Sequence, residues 1–269
     1  MNKYPRPGQN TASATVGRRR ALILGGTREA RDLAWQVART PGVEATLSLA
    51  GRTSAPLETG LPMRVGGFGG AEGLSRYLAE NQFDCVLDAT HPFAEQISAN
   101  ARAACALLGL PLATLVRAPW RPQDGDRWNV VADNDAAAAA LGEAALGEAP
   151  RRVFLTIGRL GVPAFRRAPQ HDYLIRSIER PDPAELPPRA EVILARGPFD
   201  CAEEIALMRE RGIEIVVSKN SGGPLTYAKI EAARALQIPV VMVAQPAREG
   251  VEVVDSLEAA MDFLVGGAA

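Results

Sequence analysis

The segment ALILGGTREA, residues 21–30, runs from an apolar stretch through a glycine turn into a helical pattern. It matches the G-x-G-x-x-A pattern of dinucleotide-binding βαβ units, with Thr27 in the place of the second glycine. Gly25 permits the tight turn, and Gly26 lets the backbone come close to a diphosphate. A helix that begins near Arg28 directs free N–H groups at the phosphates. We therefore predict a strand, a turn and a helix that hold a dinucleotide, the alternative being a tight βα turn without a ligand.

Outward from this segment, short apolar runs alternate with helical patterns, which is typical of βαβ units and of parallel sheets covered on both faces. The first series predicts strands at 21–25, 45–50, 84–89 and 112–116, and helices at 28–38, 72–80 and 95–108. The second series predicts strands at 128–132, 153–157, 173–178, 192–195, 213–218 and 240–244, and helices at 135–146, 200–211, 227–236 and 257–264. The chain is thus expected to be an α/β protein.

A stretch rich in turn formers, residues 118–126, separates the two series and is the preferred domain boundary. The first residues of the chain are polar and show no periodicity. The predicted organisation is therefore a disordered extension at 1–19, a nucleotide-binding domain at 20–118 and a second domain at 119–269.

Composition excludes several classes of function. The 269 residues include 30 Lys and Arg against 31 Asp and Glu, so the basic excess that suits nucleic acid is missing. The odd, widely spaced Cys85, Cys105 and Cys201 fit reduced thiols of a cytoplasmic protein, and the only two histidines lack ligand spacing with them, so no metal site is expected. No apolar run reaches the roughly 18 residues of a membrane span, so no membrane association is expected.

The end of the second predicted strand bears on the choice of cofactor. Proteins that use NAD usually place Asp or Glu there to bind the ribose 2′-hydroxyl. Here that place holds Gly51, Arg52 and Thr53. Because a guanidinium pairs with phosphate bidentately, Arg52 suits a 2′-phosphate and predicts NADPH over NADH. The alternative is that Arg52 is a solvated surface charge.

The segment Asp88-Ala-Thr-His-Pro-Phe93 follows the next predicted strand, at the edge where open parallel sheets bind their ligands. Pro92 restrains His91 to an extended conformation, and the side chains of Asp88 and Thr90 are suited to hold the loop through bonds to backbone. The alternative is a helix entry with capping and no chemistry. The residues expected to bind the cofactor are Gly25, Gly26, Thr27, Arg28, Glu29, Gly51, Arg52, Thr53, Asp88, Ala89, Thr90, His91 and Pro92.

Together these motifs resemble the precorrin-6A reductase family of cobalamin biosynthesis, over residues 21 to about 265. The motifs are Ile23–Thr27, Glu29-Ala30, Gly51-Arg52 and Asp88–Phe93, then Thr156–Gly158, Gly197–Phe199, Ser218–Gly223 and Lys229. The resemblance implies NADPH-dependent reduction of one double bond of the tetrapyrrole macrocycle precorrin-6A, which gives the dihydro form precorrin-6B. It also implies two Rossmann-like domains, each a mostly parallel sheet flanked by helices, with the active site in the cleft between them.

Such a macrocycle carries many acetate and propionate groups, so its site needs cations and exposed amides. Glycine-flanked strand ends and basic side chains in the second half are therefore the candidates for substrate binding: Thr156, Gly158, Arg117, Trp120, Arg196, Lys219, Ser221, Gly222, Gly223 and Lys229. Lys219 and His91 are the candidate catalytic residues. Lys219, His91 and Tyr227 are the available side-chain proton donors, and the alternative is that solvent supplies the proton. For any single Arg, a solvated surface charge is the alternative.

Two other functions remain open at this point. A cobalt-precorrin-6A reductase of the anaerobic route has a closely similar pattern. A non-catalytic NADPH-binding sensor or regulatory protein would use the fold without the chemistry, although the polar strand ends of the second half favour a ligand that faces the cofactor. The chain is expected to be a monomer or a small homo-oligomer, with transient hand-off of the macrocycle to neighbouring enzymes of the pathway.

Overall fold

The computed structural model describes residues 18–51, 59–142, 149–248 and 250–266, which form two compact units. In chain order the elements are β1 (Arg19–Leu24), α1 (Arg28–Val37), β2 (Val43–Leu49), β3 (Met63–Val65), α2 (Gly70–Glu80), β4 (Cys85–Asp88), α3 (Glu95–Leu108), β5 (Leu112–Leu115), β6 (Trp128–Val131), α4 (Asn134–Ala140), β7 (Arg152–Thr156), β8 (Asp172–Ser177), β9 (Ala190–Leu194), α5 (Cys201–Glu210), β10 (Ile215–Lys219), α6 (Ala228–Ala235), β11 (Val240–Val243), β12 (Glu252–Val254) and α7 (Leu257–Val265). Two short 3-10 helices, Arg159–Arg167 and Pro183–Glu185, lie in the second half.

The first unit contains the chain up to Thr90, Gln96–Leu115 and the residues from Val251 onward. Its sheet has the order β12-β5-β4-β1-β2-β3, with every pairing parallel. Because successive side chains of a strand point to opposite faces, Ile23 joins the core beneath α1 and α7 while Leu24 joins the core beneath α2 and α3. This is the strand order of dinucleotide-binding folds, which reverses between β1 and β4.

The second unit contains His91–Glu95 and Val116–Gly250. Its sheet has the order β6-β11-β10-β7-β8-β9, again with parallel pairings throughout. One face packs on α4 and the longer 3-10 helix, and the other face packs on α5 and α6. The strand order reverses between β7 and β10, so the second sheet has its own switch point. The predicted fold class, two parallel sheets flanked by helices, is confirmed.

The C-terminal segment departs from the predicted domain boundary. The sequence places residues 119–269 together, but β12 pairs with β5 in the first sheet, with Val254 opposite Leu115, and α7 packs in the first core. Neither β12 nor β3 was predicted, because a three-residue edge strand is too short to show periodicity. Residues 1–17 of the predicted extension, and residues 143–146 of a predicted helix, lie outside the described residues.

Three further observations concern the described part of the chain. It contains no helix long and apolar enough to cross a bilayer, and no group of three or more potential metal ligands. Cys85, Cys105 and Cys201 are free thiols. Burial raises the pKa of Cys85 to about 11 and that of Cys105 to about 12, so both are neutral core groups at physiological pH.

Candidate functional site

The turn after β1 lies at the switch point of the first sheet. The amide of Gly25 donates to the Ser48 carbonyl at 2.9 Å, which holds the turn against β2. A Cβ added to Gly25 would lie 2.6 Å from Leu47 Cδ1, so only glycine fits here without a shift of the core. Gly26 has a φ of +119°, and a Cβ added to it would meet no heavy atom within 4 Å. The turn therefore packs closely on the sheet at Gly25 and has open space beside Gly26.

Thr27 joins the two loops that flank the switch point. Its hydroxyl accepts from the Ala30 amide at 3.1 Å as the N-cap of α1 and donates to the Ala89 carbonyl at 2.8 Å. The hydroxyl expected to bind phosphate is thus used to fix the start of α1. The amides of Thr27 and Arg28 have no acceptor within the described ranges. These amides and the positive end of α1 give the turn the donors that the diphosphate of a dinucleotide requires.

Asp88, at the end of β4, organises the second loop at this edge. Its carboxylate is buried and accepts from the Thr90 amide at 3.1 Å, the Thr90 hydroxyl at 2.6 Å and the Ser98 hydroxyl at 2.5 Å. The predicted bonds from Asp88 to the loop are therefore present. Sequence reasoning missed Ser98, because a serine within a predicted helix gives no sign that it faces a strand end ten residues earlier.

The adenosine end of the expected cofactor site is only partly described. Gly51 follows β2, and Arg52 and Thr53 lie outside the described residues. Beside this strand end, the Arg64 guanidinium donates to the carbonyls of Gly66 and Gly67 at 2.5 and 2.7 Å, and its Cζ lies 3.8 Å from the centroid of Phe68. Arg64 thus shapes the glycine loop that leads into α2, a role that the sequence did not reveal.

A surface depression lined by Arg18, Arg39 and Glu44 lies at the opposite edge, by the amino ends of β1 and β2. Parallel α/β sheets bind their ligands at the carboxyl ends of the strands. We therefore do not assign the cofactor to it.

The segment His91–Glu95 begins shortly after β4 in sequence but clusters with the second unit. The Arg248 guanidinium donates to the Pro92 carbonyl at 2.9 Å, and Lys219 Nζ lies 4.9 Å from the Phe93 centroid. The Phe93 amide donates to His91 Nδ1 at 3.3 Å. His91 and Pro92, which the sequence predicts to bind the cofactor, have these partners in the second unit, and their role in cofactor binding stays a prediction.

Cations surround His91. Burial of its ring, then the positive charges of Arg117, Lys219, Lys229 and Arg248, lower the pKa of His91 to about 4. His91 is exposed as a residue. Even without the effect of burial, the neighbouring positive charges disfavour a charged imidazolium and so favour the neutral ring. At neutral pH the ring is therefore uncharged, and His91 is a poor candidate for a general acid. The cluster itself suits an anionic ligand.

Lys219 ends β10, beside the switch point of the second sheet. Its burial lowers the pKa of the ammonium, which the nearby carboxylate of Glu95 partly offsets. Beyond it, the Ser221 amide donates to the Lys219 carbonyl at 2.9 Å and so is not available to an anion. The amides of Gly222 and Gly223 have no acceptor among the described residues, and both glycines have a positive φ. This loop offers an ammonium and two amides to a carboxylate.

The remaining substrate candidates differ in their surroundings. The Thr156 hydroxyl donates to the Val217 carbonyl at 2.9 Å, so it links β7 to β10. Gly158 follows with a φ of +74° and open space around it. Arg196 is exposed, and Arg117 is half-buried. These positions all lie at carboxyl ends of strands or just beyond them.

Contacts within the second unit hold the side chains of Lys229, Trp120 and Tyr227. Lys229 is 4% exposed and donates to the Thr226 carbonyl at 2.6 Å, and burial lowers its pKa to about 7. Its Nζ lies 5.1 Å from the Trp120 ring, whose centroid is 5.3 Å from that of Tyr227. The Tyr227 hydroxyl accepts from Arg234 at 2.6 Å. A substrate contact by Lys229, expected from the sequence, therefore does not fit its burial.

Comparisons with known proteins agree with one another. A family model described as "Precorrin-6x reductase CbiJ/CobK" matches residues 20–265. The chain is 51% identical over 227 residues to the precorrin-6A reductase of Rhodococcus erythropolis, which covers 84% of this chain and 89% of that protein. It is 47% identical over 245 residues to the precorrin-6A reductase of Rhodobacter capsulatus, which covers 91% of this chain and 95% of that protein.

A solved structure described as "CobK precorrin-6A reductase" is similar with a TM-score of 0.82 and 47% identity, and the match covers 93% of this chain and 98% of that one. More distant relatives carry a different name. The cobalt-precorrin-6A reductase of Methanothermobacter thermautotrophicus is 28% identical over 266 residues, which covers 91% of this chain and 83% of that protein.

Proposed function

The chain belongs to the precorrin-6x reductase family, and we propose that it takes the hydride for the reduction of precorrin-6A from NADPH. It is an oxidoreductase of cobalamin biosynthesis. The observation that carries the proposed cofactor is the open turn at Gly26 above the switch point, with the amides of Thr27 and Arg28 beside it. This is the geometry in which parallel α/β sheets bind the diphosphate of a dinucleotide.

On this proposal, the residues of the first unit hold and orient the cofactor. The start of α1 binds the diphosphate, while Thr27 and Asp88 keep the two flanking loops in place. Arg52 pairs with the 2′-phosphate and so selects NADPH over NADH. NADPH, when bound, supplies hydride to the macrocycle.

Residues of the second unit bind the macrocycle. Arg117, Lys219 and Arg248 lie around neutral His91 and attract the acetate and propionate groups. Lys219 is the proposed substrate or proton contact, because its lowered pKa eases release of a proton at the reduced carbon. His91 donates a hydrogen bond from Nε2, since its Nδ1 accepts from the Phe93 amide.

The metal-free macrocycle is the preferred substrate. Relatives that are 45–51% identical to this chain are named precorrin-6A reductase, whereas those named cobalt-precorrin-6A reductase are 27–28% identical. We further propose that the protein works in the cytoplasm as a monomer or small homo-oligomer and passes its product to the next enzyme of the pathway.

The test is a crossed assay of the full chain and two variants, Arg52→Ala and Lys219→Ala. The wild type should oxidise one NADPH for each precorrin-6A reduced and should act poorly with NADH or with the cobalt-containing macrocycle. Arg52→Ala should raise the KM for NADPH about tenfold, which corresponds to about 1.4 kcal/mol, and leave the KM for the macrocycle unchanged. Lys219→Ala should instead raise the KM for the macrocycle and leave the KM for NADPH unchanged.

Each variant serves as the control for the other. An Arg52→Ala enzyme that keeps its preference for NADPH would refute the role of that arginine. Turnover and macrocycle affinity at wild-type levels in Lys219→Ala would remove Lys219 from the site. A wild type that oxidises no NADPH in the presence of precorrin-6A would overturn the proposed cofactor.

A further inference from the structure

The side chain of Asn220 holds the main chain of Trp120. Asn220 Oδ1 accepts from the Trp120 amide at 2.7 Å, and Asn220 Nδ2 donates to the Trp120 carbonyl at 2.9 Å. The residue is 8% exposed and lies between Lys219 and Ser221, whose backbone groups close a tight turn around it. The Asn220 carboxamide thus pairs with the Trp120 main chain through one acceptor and one donor, as the backbone of a neighbouring strand would.

Two other contacts fasten the same two segments together, and a third joins the segment 117–120 to the residues that follow β11. Trp120 Nε1 donates to the Gly223 carbonyl at 2.8 Å. A Cβ added to Gly222 would lie 2.5 Å from the Ala118 carbonyl, so the loop and the segment are in direct contact. Gln245 Nε2 donates to the Arg117 carbonyl at 3.4 Å. The segment 117–120 thus holds the loop that contains Lys219 and the glycine amides.

We infer that Asn220 is a positioning residue for the reduction, which sets the Lys219–Gly223 loop to receive a carboxylate of the macrocycle by holding Trp120. This inference rests on the proposed function. Asn220 has no need to touch the substrate itself, because both ends of its carboxamide are occupied by Trp120. Its effect on the reaction passes through Lys219 and the amides beyond it.

Two substitutions separate the parts of this contact. Asn220→Asp keeps the shape and the acceptor for the Trp120 amide but sets a carboxylate oxygen against the Trp120 carbonyl, where a donor is required. Asn220→Ala removes both bonds. Asn129 of β6 is a suitable control in the same unit, since its side chain has no hydrogen-bond partner among the described residues.

The experiment measures KM and kcat for precorrin-6A and for NADPH in wild type, Asn220→Asp, Asn220→Ala and Asn129→Ala. We expect both Asn220 variants to raise the KM for precorrin-6A about tenfold or more, with the KM for NADPH and binding of NADPH unchanged. In a Lys219→Ala background, Asn220→Ala should raise the KM for precorrin-6A less than threefold. Binding of NADPH by each variant also shows that the chain is folded.

The outcomes separate this inference from the proposed function. If the wild type reduces precorrin-6A but the Asn220 variants have its KM for the macrocycle, the inference fails and the function stands. An equal effect of Asn220→Ala with and without Lys219 overturns the route through that lysine. If Asn220→Asp matches wild type while Asn220→Ala does not, the reciprocal bonds are not what positions the loop. A wild type inactive on the macrocycle overturns both proposals.

Discussion

Lys229 is a basic side chain buried in the second unit, with 4% of the residue exposed. Its Nζ is enclosed by the Thr226 carbonyl and the Trp120 ring, and the buried ion pair of Arg176 with Glu204 lies close enough to act on its charge. Burial is the main cause of its lowered pKa, Arg176 lowers it further and Glu204 raises it. The protein therefore buries an amine that is partly neutral at physiological pH.

We predict a pH-dependent contribution of Lys229 to stability. Its pKa is about 7 in the folded chain and 10.5 ordinarily, so between these values the unfolded chain binds the proton that the folded chain lacks. Stability therefore rises with pH across this window. Relative to Lys229→Met, the wild type should gain about 3 kcal/mol in free energy of unfolding between about pH 7 and about pH 9.5, measured by urea denaturation.

Lys219→Met is the matched control, because Lys219 is only half-buried and the Glu95 carboxylate partly offsets the lowering of its pKa. It should show a smaller change over the same range. A constant difference between wild type and Lys229→Met at both pH values would show that the ammonium stays charged in the core.

At the scale of elements, a polar contact joins the end of β4 to α3, beside the apolar packing of Val86 against the same helix. Ser98 lies on the buried face of α3 and donates to the carboxylate of Asp88 at 2.5 Å. The carboxylate is 2% exposed, so water does not replace a donor that is removed. The hydrogen bond between Ser98 and Asp88 thus fixes the position of α3 relative to the end of β4, which is proposed to face the cofactor.

We predict that Ser98→Ala lowers the free energy of unfolding by about 1–3 kcal/mol, because a buried carboxylate loses a donor. It should also weaken binding of NADPH, since the loop after Asp88 loosens. Ser75→Ala is the control: Ser75 is equally a buried helical serine, but it donates only to the Glu72 carbonyl of its own helix. Its effect should stay within about 0.5 kcal/mol. Equal losses in the two variants would contradict the role given to Asp88.

At the scale of the whole molecule, the chain returns to its first sheet at its end. Phe263 of α7 packs in the core formed by β1, α1 and β4, and the Arg19 guanidinium donates to the Phe263 carbonyl at 2.8 Å. These two residues are 244 positions apart in the sequence. The core of the first unit is therefore complete only when α7 is in place.

We predict that Phe263→Ala costs about 3–5 kcal/mol of stability through loss of a large core side chain. Amide hydrogen exchange should locate the loss of protection in β1, β4 and β5 of the first sheet. Phe165→Ala, in the core of the second unit, should instead expose β7 and β10. Loss of protection chiefly in the second sheet after Phe263→Ala would contradict the placement of α7.

Local sequence was sufficient for most of the elements. The apolar runs predicted ten of the parallel strands, and the bounds of α3 agree with the predicted helix at 95–108. The turn at Gly25 and Gly26 was also readable, because its backbone demands are met within a few residues. The assignment of the loop Lys219–Gly223 to a strand end followed from the same reasoning.

Long-range placement was not readable in this way. Nothing near Glu252 shows that β12 pairs with β5, nothing near His91 shows that its segment clusters with the second unit, and nothing near Lys229 shows that its ammonium is buried. Sequence by itself determined the α/β class, the glycine turn after β1 and the family, because periodicity, glycine spacing and short motifs are local properties. Only tertiary structure decided which distant groups share a core or a charge cluster, because burial and electrostatic fields depend on distance in space and not on position along the chain.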